Sequence, residues 1–98
     1  MVNNMTKQQM TKAAKHIVDY YGEGFLEDAK TYGKAAELVQ DGCFLIWYAD
    51  ARAFLKDLYE ESEEQSEKYS NEKVWEQYKH CIALMASHPK YIEQALQA

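Results

Sequence analysis

The stretch CFLIWYADARAFLKDLY, residues 43–59, decides the fold class. Its first six residues are apolar or aromatic, and alone they are typical of a buried strand. Apolar residues then continue with a helical period, at Phe44, Trp47, Tyr48, Ala51, Phe54, Leu55 and Leu58. The chain offers no second strand, and one strand leaves its own backbone groups unpaired. We therefore predict a helix from about Cys43 to Tyr59, and we expect it to be the central, most buried helix of the fold.

The composition excludes several classes of protein. The 98 residues are 47% hydrophobic and 13% aromatic, which is too apolar for a disordered chain. Four glycines and one proline are too few for the turns of an all-β sandwich. The longest apolar run, residues 43–49, is far shorter than the roughly 20 residues of a membrane span. The polar N-terminus lacks the apolar segment of a signal peptide. We expect a single domain over residues 1–98, located in the cytoplasm.

Four further segments have helical patterns. Thr6 and Gln9 form a capping-box signature that starts the first helix, and Gly22 ends it. Apolar residues from Phe25 to Val39, spaced by three and four, predict a second helix that ends at Asp41-Gly42, with Gly33 inside it as a point of close helix approach. Ser70 or Asn71 caps the fourth helix, which ends at His88-Pro89, and a short fifth helix follows. The sequence thus predicts an all-α protein, a compact bundle of four main helices plus a short C-terminal helix.

Negative charge is concentrated in the second half of the chain. Residues 1–56 hold seven basic and seven acidic side chains, whereas residues 57–98 hold four and nine, which accounts for the net charge of −5. Because phosphate binding needs a basic surface, direct nucleic-acid binding is disfavoured and a basic protein surface is the better partner. The excess negative charge is densest between residues 57 and 69. This segment either continues the third helix to Glu67 or forms a loop.

Two tyrosines accompany these carboxylates, and tyrosine is enriched at binding hot spots. On a continuous helix the acids would recur at helical spacing and form one negative stripe. We call this set the acidic ridge and expect it to bind the partner; its members are Asp57, Tyr59, Glu60, Glu61, Glu63, Glu64, Glu67 and Tyr69. The alternative is that the carboxylates only keep the surface solvated.

Catalytic and metal-binding motifs are missing from the sequence. Glu72, Glu76 and His80 share a helix face, but a di-iron bundle needs a Glu-x-x-His pair on each of two helices. No phosphate loop, zinc pattern or nucleophile elbow is present. We predict no metal site, no cofactor and no enzymatic activity. A small-molecule pocket or enzyme built around His16, His80 and Cys43 is the least favoured reading.

The segment DYYGEGFLEDAKTYGKAAELV, residues 19–39, resembles small uncharacterised helical proteins of phages and other mobile elements. It covers about a fifth of the chain. Its motif, Tyr-Gly followed by Tyr-Gly-x-Ala-Ala, is not a catalytic signature. The resemblance implies an accessory protein, such as an inhibitor of a host defence, for example of a CRISPR nuclease. It carries over no functional residue.

Two functions therefore lead. The first is a non-enzymatic protein-binding module that docks the acidic ridge on a basic surface of a nucleic-acid-handling host protein. The second is a structural or scaffolding homodimer, in which the aromatic-rich third helix and the small residues around Gly33 form a symmetric interface.

Overall fold

Residues 5–41 and 48–97 are described by the structure, a computed structural model, and they contain seven helices and no strand. The helices are α1 Lys7–Tyr21, α2 Phe25–Asp28, α3 Tyr32–Asp41, α4 Tyr48–Leu58, α5 Glu63–Glu67, α6 Asn71–Met85 and α7 Pro89–Gln97. The Cα radius of gyration is 12.6 Å, in line with the roughly 13 Å of a compact 100-residue chain. The all-α prediction is confirmed. Within the described ranges, no helix has both the length and the apolar character to cross a membrane.

Helix α1 begins and ends where its local sequence predicts. The Thr6 hydroxyl accepts the Gln9 backbone N–H at 3.1 Å, and the Gln9 side chain accepts the Thr6 N–H at 2.9 Å. These two bonds form the capping box and satisfy donors that a helix start leaves free. At the other end Gly22 has a φ of 77°, and its N–H donates to the Val18 carbonyl. Glycine adopts this conformation without a Cβ clash.

The predicted second helix is two helices, α2 and α3, separated by residues 29–31. The Thr31 hydroxyl accepts the Lys34 N–H at 3.2 Å and so starts α3 afresh. This restart shifts the helical phase: Ala35 is buried, whereas Tyr32 is 42% exposed. The expected close approach at Gly33 is also wrong for the described residues. A Cβ added there would meet only the Thr31 hydroxyl, at 3.9 Å.

Helix α4 ends at Leu58, and the acidic segment does not continue it. The Glu61 N–H donates to the Lys56 carbonyl at 2.9 Å and the Glu60 N–H to the Asp57 carbonyl at 3.3 Å. This is the Schellman pattern, in which the residue after the cap is left-handed. Glu60 takes that position with a φ of 52°. The predicted start at Cys43 lies outside the described residues.

A second capping box then starts α5. The Ser62 hydroxyl accepts the Gln65 N–H at 3.1 Å, and the Gln65 side chain accepts the Ser62 N–H at 3.0 Å. The five-residue helix α5 therefore has its own axis. The acids Glu63, Glu64 and Glu67 belong to it and not to α4. The expectation of one helical stripe is wrong, because the chain turns at Glu60.

Helix α6, and not α4, is central among the described residues. It packs against α1, α3, α4 and α7. Its buried residues lie on more than one side, at Val74, Tyr78, Cys81, Ile82, Ala83 and Met85. The start of α4, at Tyr48, is exposed. Being apolar over a wide arc, α6 can bury its surface only by being surrounded.

Replacing Glu60 by glycine is expected to stabilise the protein. Glycine removes the steric cost of the left-handed conformation, so E60G should raise the free energy of unfolding by about 0.5 kcal/mol. The control E64G removes the same charge inside α5 and should lower it by about 0.5–1 kcal/mol. Urea unfolding followed by helical circular dichroism measures both. Equal destabilisation by the two variants would contradict the left-handed turn.

Candidate functional site

The acidic ridge is spread over three consecutive pieces of structure. Asp57 lies in the last turn of α4, Glu60 in the turn that follows, and Glu63, Glu64 and Glu67 in α5. Tyr59 and Tyr69 are half-buried and pack against the core. Glu61 is half-buried as well. Except for Glu61, the carboxylates therefore form an exposed corner of the molecule, and Glu61 and the two tyrosines form its inner side.

Two ridge carboxylates are paired with lysines. Lys12 reaches Asp57 at 3.7 Å, and Lys56 contacts Glu63. Both carboxyl groups remain about three-quarters exposed, at 76% and 75%. Exposed pairs of this kind contribute about 0–1 kcal/mol. They reduce the negative field of the corner without removing it.

Glu60, Glu64 and Glu67 form no ion pair with any described residue, and all three are exposed. Glu64 lies in the first turn of α5, where the helix dipole favours a carboxylate. Glu60 and Glu67 lie outside that first turn. Their charges have no partner within the described part of the chain.

Behind this corner lies a cleft of about 440 Å³. Three ridge residues, Tyr59, Glu61 and Tyr69, line it together with one face of α6. That face consists of Lys73, Glu76, Gln77 and His80. We call this the ridge cleft. Its volume falls in the roughly 300–1,000 Å³ range of ligand pockets.

Tyr69 is held on two sides within the ridge cleft. Its hydroxyl donates to Glu61 Oε2 at 3.2 Å, and the Lys73 ammonium lies 5.4 Å from the centre of its ring. The second distance is within the range of a cation–π contact. The Glu61 carboxylate beside it raises the pKa of Tyr69, so the phenol keeps its proton at neutral pH.

His80 forms the far side of the ridge cleft. Its Nδ1 lies 2.9 Å from the Tyr32 hydroxyl of α3. Its Nε2 is shielded from solvent and has no hydrogen-bond partner among residues 5–41 and 48–97. Such unpaired groups are few in native proteins and are often found at functional sites.

The α6 side of the ridge cleft was missed by the sequence analysis as a binding surface. Its four residues follow the i, i+3, i+4, i+7 rule. Glu76 and His80 were considered as metal ligands, and His80 also as part of a pocket with His16 and Cys43, but not as one face of this surface. The signal was present in the sequence as a polar face beside the apolar face of Val74, Tyr78 and Cys81. Its pairing with Tyr59 and Tyr69 depends on tertiary packing and has no local signature.

A second, shallower depression of about 390 Å³ lies on the other side of Glu61. Its lining consists of Lys12, Ala53, Lys56, Asp57, Glu60 and Glu61. The two lysines there are the ones already paired with ridge carboxylates. Glu61 therefore forms the wall between the ridge cleft and the exposed corner.

Comparison of the chain with protein-family models, curated proteins and solved structures finds no match. The resemblance over residues 19–39 stays a prediction.

His16 belongs to the core and not to the ridge cleft. Its Nε2 lies 2.8 Å from the Tyr78 hydroxyl, which in turn lies 3.2 Å from the Tyr21 hydroxyl. Its ring stacks on Phe54 with centroids 4.0 Å apart. Burial lowers the pKa of His16 to about 4, against the opposing effect of the Asp19 carboxylate. The imidazole is therefore neutral at pH 7.

The hypothetical grouping of His16, His80 and Cys43 gains nothing from this geometry. Tyr78, which binds His16, and His80 are two residues apart on α6, so their side chains diverge by about 200°. Cys43 lies outside the described residues. In the described part of the chain no three His, Cys, Asp or Glu side chains converge as metal ligands.

Removing His16 is expected to weaken the pH dependence of stability. Its folded pKa lies below the ordinary value of 6.5, so the unfolded chain binds a proton more readily. The stabilising contribution is complete above pH 6.5 and is lost as the pH falls towards 4. Because His16 is only partly screened from water, wild type should lose about 1–2 kcal/mol more than H16Q between about pH 7.5 and 4.5.

Urea titrations at several pH values measure this difference. H88Q removes a different histidine and is the control that should follow wild type, since it retains His16. If H16Q and wild type lose the same free energy of unfolding over this pH range, the conclusion that His16 is buried in its neutral form is wrong.

Cys81 is expected to be unreactive in the folded protein. Burial raises the pKa of its thiol to about 12, and the nearby Tyr59 hydroxyl only partly opposes this. In a C43S background, a disulfide reagent should react with Cys81 at least about 100-fold faster in denaturant than in native buffer. Comparable rates in the two buffers would show an accessible thiol and contradict the packing of α6 on Tyr59.

Proposed function

We propose that this chain is a non-enzymatic, cytoplasmic protein-binding module, a bundle of four main helices plus a short C-terminal helix. Its acidic ridge docks on a basic surface of a nucleic-acid-handling host protein, such as a CRISPR nuclease. Occupying that surface blocks nucleic acid there. The observation that carries the proposal is the set of carboxylates at Glu60, Glu64 and Glu67, which are exposed and unpaired among the described residues.

The arrangement of the corner supports recognition of a protein. One ridge carboxylate, the half-buried Glu61, lines a cleft together with Tyr59 and Tyr69, and the exposed carboxylates lie on either side of it in the chain. An outer charged rim around inner aromatic residues is the usual layout of a protein interface, in which the rim steers association and aromatic anchors supply affinity. The Ser62 capping box and the Glu60 turn hold the rim in one conformation, which lowers the entropy cost of binding.

Charge also supports a basic partner. Residues 57–67 contain six carboxylates and no basic residue, and the partnered lysines Lys12 and Lys56 come from earlier in the chain. Such a field accelerates association with a positive surface and disfavours association with a phosphate backbone.

Reversing the unpaired ridge charges is expected to abolish binding while the fold persists. The triple variant E60K/E64K/E67K should reduce affinity for the basic partner at least tenfold, because each close charge pair contributes up to about 1 kcal/mol. The immobilised chain is exposed to a host lysate, and retained basic proteins are quantified for each variant. Helical circular dichroism verifies the fold.

The matched control is E23K/E27K/E93K, which makes the same change in net charge at exposed positions away from the ridge. It should retain the partner, and binding of wild type should weaken with salt, since exposed charges are screened. Equal loss in both triples, or retention by the ridge triple, would contradict the proposal.

A homodimer is the second candidate, favoured by Tyr48, which is 47% exposed at the start of the aromatic-rich helix. Residues 43–47, which the sequence predicts to belong to the same helix, lie outside the described residues. Sedimentation of wild type at micromolar concentration tests this candidate. A stable dimer that Y48S converts to monomer would support it, and a monomeric wild type would reject it.

A further inference from the structure

The ridge cleft already contains a cation. Lys73 is in the first turn of α6, where the positive end of the helix dipole disfavours an ammonium group. It forms no ion pair among the described residues, and its Nζ instead lies 5.4 Å from the centre of the Tyr69 ring. The attraction of the aromatic face therefore holds this side chain inside the cleft.

The Glu61 carboxylate, next to the Tyr69 ring, has a hydrogen-bond partner among the described residues on only one of its two oxygens. Glu61 accepts the Tyr69 hydroxyl on Oε2, whereas its Oε1 has no partner among the described residues. Glu61 is also half-buried, so a charge-assisted bond to it is screened less than at the exposed rim. The Gln77 amide and His80 Nε2 are likewise unbonded in the described part of the chain.

We propose that the ridge cleft receives one guanidinium group, the side chain of an arginine of the basic partner, which stacks on Tyr69, pairs with Glu61 and displaces the Lys73 ammonium. This inference rests on the proposed function and names the residue type that anchors the partner.

Arginine fits this site better than lysine does. A guanidinium is planar, so it stacks on the flat Tyr69 ring, and its forked N–H groups match both oxygens of a carboxylate. Lysine offers a compact charge, which Lys73 already supplies from within the chain. Arginine also remains protonated in a half-buried cleft, where lysine can lose its charge.

A further acceptor for a guanidinium N–H group is the Gln77 side-chain oxygen, since Gln77 also lines the cleft. His80 bounds the cleft, but its Nε2 is shielded from solvent, so this atom does not receive the ligand. An anionic ligand is disfavoured, because the described lining contributes the Glu61 and Glu76 carboxylates against the Lys73 ammonium, and of these two carboxylates only Glu76 is paired with a lysine, Lys79 at 3.7 Å.

The test is an NMR titration of the ¹⁵N-labelled full chain with N-acetyl-arginine methylamide. Its neutral isostere, N-acetyl-citrulline methylamide, is the matched probe, and the corresponding lysine and glutamate derivatives are run in parallel. The arginine probe should cause saturable shifts at Lys73, Gln77, His80 and the Tyr69 amide. The other three should bind at least about tenfold more weakly, as loss of one charged bidentate contact implies.

Two variants are expected to change the affinity for the arginine probe in opposite directions. Removing the internal competitor in K73M should strengthen arginine binding about threefold, whereas it would weaken binding of any anion. E61Q keeps the shape of the side chain and should weaken arginine binding about tenfold. E93Q, an equal change on α7, is the control expected to match wild type. Y69L, verified by circular dichroism, should lose the saturable shifts.

Citrulline or lysine binding as tightly as arginine, weaker binding by K73M, or tight binding of the glutamate derivative would each overturn the inference. The experiments distinguish failure of the arginine site in the ridge cleft from failure of the proposed docking by the acidic ridge. If the cleft fails, the arginine probe does not bind, although E60K/E64K/E67K still loses the partner. If the ridge fails, that triple retains the partner, although the probe still binds the cleft.

Discussion

The Tyr78 hydroxyl is buried at the centre of the molecule and needs hydrogen-bond partners there. A phenol removed from water without a partner costs the protein about 1–3 kcal/mol. His16 and Tyr21, both on α1, provide those contacts at 2.8 and 3.2 Å. Burial raises the pKa of Tyr78, so the group remains a neutral phenol. The requirement joins α1 to α6, and the rings of Phe54 and Trp75 pack around the same tyrosine. Helices α3, α4 and α7 pack against one or both of α1 and α6.

The packing of α6 also determines which residues line the cleft. With Val74, Tyr78 and Cys81 turned inward, the face beside them places Lys73, Gln77 and His80 along the ridge cleft. The second wall of the cleft is formed by Tyr59 and Glu61, on either side of the turn at Glu60, and by Tyr69. Arg52 secures this wall, because its guanidinium donates to the Ser66 carbonyl and to Asn71 at 3.1 Å, tying α4 to the end of α5 and the start of α6. The core contact and the surface cleft are consequences of the same placement of α6.

The residues of the acidic ridge do not have the continuous helical shape that their spacing predicts. Its charged and aromatic members were identified from composition and spacing, and Tyr59, Glu61 and Tyr69 do meet at one cleft. The continuous helical stripe was wrong, because Ser62 and Gln65 repeat the capping box of Thr6 and Gln9. That signal was legible in the sequence and was overlooked. The left-handed Glu60 had no such signal, since glycine is the usual residue there. Its conformation follows from the Schellman bonds that end α4.

The sequence by itself determined the helical class, the limits of α1, the start of α6 and the concentration of carboxylates after residue 56. These depend on local periodicity, on capping side chains within three residues, and on charge counts. Only the tertiary structure decided that α6 is central, that Ala35 of α3 is inward, and that Lys73 and His80 face Tyr59 and Tyr69. Those outcomes depend on contacts between residues far apart in the chain. The phase of each helix relative to its neighbours follows from packing, and no short window of sequence contains that information.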